Sequence, residues 1–156
     1  MKVLYITEIY PDPKRGIGVW GGGEKQFYEI SKHVAKNHEV TILTCRFPKQ
    51  PETEIIEKNI KILRIGLSRD PKTGGARKAI FPIFHYIFKT ATYGSHIEYD
   101  VVHCNTYFPV YIGKLLVMGR KKPLIVTFHD LYGLSLIHIS EPTRPRLISY
   151  AVFCLK

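Results

Sequence analysis

The chain is poor in acid. Its 156 residues carry 13 Asp and Glu against 23 Lys and Arg, a formal charge of +10. Such an excess favours anionic partners, among them nucleic acid, acidic lipid surfaces and phosphorylated substrates. The cations are scattered, however, at 14–15, 32–36, 58–64, 69–78 and 120–122, and none of these runs forms a dedicated nucleic-acid arm. Cysteine is scarce as well: Cys45, Cys104 and Cys154 make no CxxC pair and no metal spacing. A reducing, cytoplasmic compartment fits that usage. No apolar run reaches bilayer-spanning length, and the opening MKVLYITEIYP meets polar residues too soon for a secretory signal.

What is present is an alternation. Lys2–Thr7 (KVLYIT), Val40–Cys45 (VTILTC), Ile60–Ile65, Asp100–Cys104 (DVVHC) and Leu124–Phe128 (LIVTF) are short apolar runs rich in β-branched residues, the pattern of buried strands. Between them, Phe27, Ile30 and Val34 recur at helical spacing within 23–36. Residues 77–93 and 109–118 read as further helices. Pro82 suits a helix start better than an interior, which would begin the second helix there. Residues 46–59 are polar and assign no element. Short buried strands alternating with helices predict an α/β fold, a doubly wound parallel, Rossmann-like sheet. Ligands of such sheets sit beyond the C-terminal strand ends, which singles out 8–23, 46–59, 66–75, 103–108 and 129–133.

The first of these loops contains GIGVWGGGE, residues 16–24. Its first six residues match the glycine spacing of a dinucleotide fingerprint, in which the first glycine directly follows the strand. Here Glu8 to Arg15, with two prolines, intervene, and the second strand ends on Cys45-Arg46 in place of an acid. An NAD(P)-binding oxidoreductase or epimerase is therefore the weaker reading. It also wants Tyr-x-x-x-Lys, and Tyr111-Ile-Gly-Lys114 is one residue short. The stronger use of the glycines is Gly21-Gly22-Gly23 with Glu24, a cluster that lets a ligand approach the backbone at a helix N-terminus. Glu24 either caps that helix or reaches a ligand hydroxyl.

His129-Asp130 follows LIVTF at the ligand edge. The imidazole can donate to a ligand or meet developing charge, and Asp130 can fix its tautomer or cap the next element. His103 ends a strand as either a structural or a ligand-facing histidine. The adjacent pairs His103-Cys104 and His129-Asp130 point to opposite strand sides and make no metal set. Cys104 has no partner that would make it a nucleophile. Residues 76–94, with Ile80, Phe81, Ile83, Phe84, Ile87 and Phe88 flanked by Arg77, Lys78 and Lys89, have more apolar surface than one buried stripe needs. Two uses fit: packing against a second domain, or contact with an acidic membrane surface through 77–93. A basic module for nucleic acid or an anionic surface would need clustered cations and exposed aromatics on one face, and the scatter of charge speaks against nucleic acid.

Taken in order, Tyr10-Pro11, Gly21-Gly22-Gly23-Glu24, His38-Glu39-Val40-Thr41-Ile42, Tyr99-Asp100-Val101-Val102-His103 and Val126-Thr127-Phe128-His129-Asp130 resemble the N-terminal domain of a family 4 retaining glycosyltransferase of the two-domain GT-B architecture. The resemblance covers nearly all of 1–133. It implies transfer of a sugar from a nucleotide-sugar, a substrate, to a lipid-linked, saccharide or small-molecule acceptor, without cofactor or metal. It also implies an acceptor-side domain here and a donor-binding C-terminal domain absent from the chain. By the same resemblance Gly22-Gly23 lie near donor phosphate or acceptor, His103 lines the cleft, and His129 sits beside the reacting sugar. Asn105 stands where many members have histidine, after Cys104 in place of a small residue.

The final 23 residues, LSLIHISEPTRPRLISYAVFCLK, break this logic. LSLIHISEPTR and ISYAVFCLK resemble two translated constant segments of a short-read sequencing adapter, with Pro145-Arg-Leu147 in the place of the index between them. The expectation is a partial domain over 1–133 and a non-native tail over 134–156, in which Val152, Phe153 and Leu155 find no element to join.

Overall fold

A computed structural model describes residues 1–17, 22–66, 76–128 and 151–155. In chain order the elements are β1 (Lys2–Ile6), α1 (Gly22–Ala35), β2 (Glu39–Cys45), β3 (Thr53–Ile56), β4 (Ile60–Ile65), α2 (Ala76–Ser95), β5 (Val101–Asn105), α3 (Tyr107–Val117), β6 (Leu124–Phe128) and β7 (Ala151–Leu155). Among the described residues the strands form one seven-stranded sheet in the order β3-β4-β2-β1-β5-β6-β7. The inner pairings are parallel, with Val3 opposite Val40 on one side and Val101 on the other. Both edge strands, β3 and β7, are antiparallel to their neighbours, so the expected parallel sheet is mixed at its margins.

Alternation along the strands divides the core in two. Val3, Tyr5, Val40, Ile42, Ile60 and Ile62 face α1 with Phe27 and Ala35. Leu4, Ile6, Leu43, Val102, Leu124 and Val126 face α2 and α3 with Tyr86, Ile112 and Leu116. One face thus carries the crossover from β1 to β2 and the other the crossovers to β5 and β6, which is the doubly wound arrangement. The sheet interior strands are continuous apolar runs because both faces are covered.

Three departures from the sequence reading have physical causes. β3 lies in the stretch 46–59, read as featureless. Its face is half in water, Ile55 being 72% exposed, so no buried apolar alternation marks it. Helix α2 begins at Ala76, six residues before Pro82, so proline is accommodated inside the second turn and does not set the start. Residues 152–155, expected to lack an element, belong to β7 and pair with β6, Phe128 standing opposite Ala151. The free edge of β6 offers unpaired backbone groups that a β-prone apolar segment can satisfy.

Helix packing relies on small residues where helix meets sheet. A Cβ at Gly113 would stand 2.4 Å from Cys104 Sγ and 2.8 Å from Leu124 Cδ1. Gly113→Ala is therefore expected to push α3 off β5 and β6 and to lower stability by about 1–3 kcal/mol, measured by urea unfolding. An unchanged midpoint would show that the helix does not sit this close.

Candidate functional site at the central strand ends

The direction of winding reverses between β1 and β5. Connections from β1 run one way through α1, whereas those entering and leaving β5 run the other way through α2 and α3. A crevice opens at such a reversal beyond the C-terminal strand ends. Residues 7–17 leave β1 on one side of it, and Asn105-Thr106 leave β5 on the other.

The exit from β1 is held from below and from both sides. Thr7 N–H donates to Leu43 O (3.1 Å), and Cys45 N–H and Thr44 Oγ1 both donate to Glu8 O (3.1 Å each). Tyr86 Oη donates to Thr7 O at 2.9 Å, and burial raises the Tyr86 phenol well above its ordinary pKa, so it stays a donor. Tyr10, buried, is tied to α1: its hydroxyl is 2.9 Å from Ser31 Oγ, which itself donates to Tyr28 O at 2.7 Å. With the serine proton so committed, Tyr10 is the donor of that pair.

Next along the chain, Asp12 and Ile17 exchange both backbone hydrogen bonds (2.8 and 3.1 Å) around a short 3₁₀ turn at Pro13–Arg15. Gly16 closes the turn at φ 66, a left-handed conformation that suits glycine. The first glycine of the GxGxxG-like run is thereby consumed in a turn ten residues past the end of β1, which is not dinucleotide geometry. The Asp12 carboxylate is buried and accepts from Arg15 Nη1 (2.6 Å) and Gln50 Nε2 (3.1 Å), with Arg64 Nη2 at 3.7 Å. Arg64 also donates to Glu54 Oε2 (2.7 Å) and Pro51 O (3.2 Å). Burial alone would raise the pKa of Asp12, but the hydrogen bonds from Arg15 and Gln50 and the charges of Arg15 and Arg64 bring it below the usual value. This cluster staples the loop to β3 and β4. It was not identified from the sequence, although Arg64 shares strand parity with Ile60 and Ile62, and a cation on a buried face demands a carboxylate.

Of the expected site residues, Gly22, Gly23 and Glu24 form the first turn of α1, Glu24 placing its carboxylate at the positive end of the helix dipole. A Cβ at Gly22 would meet nothing within 4 Å, and its φ is not left-handed. Asn105, fully buried, ends β5 and points its amide towards Thr7 Oγ1 at 3.5 Å, across the β1/β5 split. The following residue, Thr106, has φ 69 and ψ −175 and makes no side-chain cap to α3. That backbone region is close to glycine-only and costs about 1–3 kcal/mol, and such residues concentrate at ligand sites. Gly21, His129 and Asp130 lie outside the described residues.

His103 does not end its strand; β5 continues to Asn105. Its ring packs 4.9 Å from Tyr5 and 5.0 Å from Phe27, and Nε2 shares a 2.8 Å hydrogen bond with Thr127 Oγ1. Burial lowers its pKa from 6.5 to about 4. Neighbouring Cys104 points to the opposite face, and burial pushes its thiol up, keeping it protonated. The neutral His103 has a consequence for stability. The unfolded chain takes up this proton near pH 6.5, the folded one only near 4, so the contribution is complete above pH 6.5 and is lost as pH falls through that window. The total is about 3 kcal/mol. His103→Gln is expected to flatten the pH dependence of the urea midpoint between 6.5 and 4; an unchanged slope would mean that the imidazole titrates normally.

Comparison with known proteins supplies the remaining context. The pattern of Glycosyltransferase Family 4 matches residues 20–153. No curated protein matches the chain. Among solved structures, a sucrose-phosphate synthase from Thermosynechococcus elongatus superposes with a TM-score of 0.63 at 16% identity, over 90% of this chain and 36% of that one. A second structure of that synthase gives 0.52 at 13% identity, over 76% and 57%. The C-terminal domain of a hydrogenase from Pyrococcus furiosus gives 0.54 at 17%, over 83% and 91%. The chain spans about a third of the first synthase chain. At these identities the likeness concerns the fold: an α/β, Rossmann-like, mostly parallel sheet resembling the N-terminal half of a GT-B enzyme.

Proposed function

We propose, starting from the fact that this chain belongs to Glycosyltransferase Family 4, that it forms the acceptor-side half of a retaining enzyme. That enzyme moves a sugar from a nucleotide-sugar to a lipid-linked, saccharide or small-molecule acceptor, without cofactor or metal, in the cytoplasm. The crevice beyond β1 and β5 is the meeting place of donor phosphate and acceptor. Gly21, Gly22 and Gly23 present backbone N–H groups, and Glu24 reaches the acceptor. His129 and Asp130, just past β6, serve the reacting sugar, while Asn105 and His103 shape the floor. A nucleotide-sugar binding half, joined downstream, completes the cleft and excludes water on closure. Contact of 77–93 with a membrane surface would bring a lipid-linked acceptor to this crevice.

The observation that carries the reading is Gly22. The fold has room for a side chain there and no conformational need for glycine, whereas a ligand lying on the first turn of α1 needs the bare backbone. Gly22→Ala, in this chain joined to a donor-side domain, is accordingly expected to leave stability unchanged or slightly raised. The same substitution should raise KM for the nucleotide-sugar or acceptor by about tenfold. Unaltered transfer kinetics would place the ligand elsewhere. The chain by itself is expected to transfer no sugar.

The domain limits belong to the same proposal: native sequence over 1–133 and a non-native tail over 134–156. Pairing of β7 with β6 is compatible, because an open parallel edge accepts any apolar, β-prone segment. Reading the source DNA through codon 133 by a long-range amplicon should reveal a frame continuing into a second domain. Codons for LSLIHISEPTR present in the genome would overturn the division.

A further inference from the structure

Helices α2 and α3 cover the same face of the sheet and pack on each other, Gly94 of α2 lying so close to Leu116 that a Cβ would stand 2.7 Å from Cδ1. Their outer surfaces are unusually apolar. On α3, Phe108, Tyr111, Leu115 and Met118 follow one another at spacings of three, four and three and form a single exposed stripe, Tyr111 being 67% and Met118 69% exposed. On α2, Phe84 and Phe88 are 67% and 71% exposed. The buried side of α3 is already satisfied by Ile112, Gly113 and Leu116, so the outer stripe is surplus to the core.

Charge on this face is one-sided. From 76 to 97 and from 101 to 128 the chain has no Asp or Glu, while among the described residues Lys89, Lys114, Arg120, Lys121 and Lys122 lie there. The only acids between are Glu98 and Asp100, which pair with Lys2 and Lys122. Among the described residues Lys89, Lys114 and Lys121 have no acidic partner. Lys114 lies within the α3 stripe's length, and Arg120–Lys122 continue from its end.

We infer that the outer face of α3, alongside that of α2, is a docking surface for an anionic lipid bilayer. This extends the proposed membrane contact of 77–93 and rests on that reading for the α2 part only. An exposed apolar stripe bordered by cations, with no acid on either helix, matches what an acidic interface offers. Rings and aliphatic groups enter the headgroup boundary while the lysine stems reach the phosphates. A second copy of the chain is the poorer occupant, since two such faces would oppose like charge. Among the described residues no helix is long and apolar enough to cross a membrane, and the contact is interfacial.

The test is flotation of the full chain with vesicles of phosphatidylcholine, alone or with about one third phosphatidylglycerol. Binding is expected only to the anionic vesicles, and weaker at high salt. Tyr111→Glu/Leu115→Glu, on exposed positions, should reduce it about tenfold or more with an unchanged circular-dichroism spectrum. Phe84→Glu/Phe88→Glu reports on α2 separately. Loss of binding in the α2 variant alone would overturn the α3 assignment and leave the α2 reading intact. No binding to anionic vesicles would overturn both. A dimer in sedimentation that the α3 variant dissolves would identify a second copy as the occupant and overturn the proposal. Where the variant misfolds, Lys114→Glu/Lys121→Glu, which leaves the apolar stripe in place, must still weaken anionic-vesicle binding.

Discussion

The ligand edge depends on one topological constraint: β1 is flanked by two parallel strands whose connections leave in opposite directions. Had α1 and α2 crossed on the same face, the loops after β1 and β5 would lie over one another and close the opening. Because they diverge, the chain emerging from β1 is free to travel over the top of β2 and β4. A loop that long is an entropic liability. The structure answers it with a series of tethers: Glu8 to β2, Tyr10 to Ser31 on α1, and Asp12 to Arg15, Gln50 and Arg64.

These tethers explain why the loop carries buried charge. Asp12 and Arg64 are both almost wholly withdrawn from water, which is costly unless each has several partners. Each has: Asp12 meets two cations and an amide, Arg64 meets two carboxylates and a carbonyl. The result is a fixed course for the chain from the end of β1 to Ile17. Strain at Thr106 and burial of Asn105 occur on the opposite lip of the same crevice. Both lips are thus built against local preference, as expected where a ligand sets the requirement.

Much of this was legible in the sequence. The five inner strands announced themselves as β-branched apolar runs because both their faces are buried, and α1 through its single apolar stripe. The glycine run could be assigned away from a dinucleotide because its distance from β1 is countable in residues. β3 was invisible because a half-wet edge strand has no apolar face to report. The helix over 77–93 was legible within two residues at either end, whereas a start at Pro82 was not met, because proline in the second turn is penalised on average and tolerated here. His103 read equally well as ligand-facing or structural, since nothing in DVVHC reveals that Tyr5 and Phe27 close around the ring or that Thr127 supplies its hydrogen bond. The Asp12–Arg64 staple joins residues 52 apart in sequence, and only the parity of Arg64 with Ile60 and Ile62 hinted at it.

The most direct measurement is a map of backbone amide shifts in this chain, joined to a donor-side domain, as it is titrated with nucleotide-sugars of uridine, guanosine and adenosine. A crevice that receives a sugar-nucleotide phosphate predicts saturable shifts at Thr7, Gly22–Glu24 and Asn105-Thr106, with β3 and the outer face of α3 unmoved. Shifts concentrated away from the ends of β1 and β5, or none with any of the three, would contradict the placement of the site.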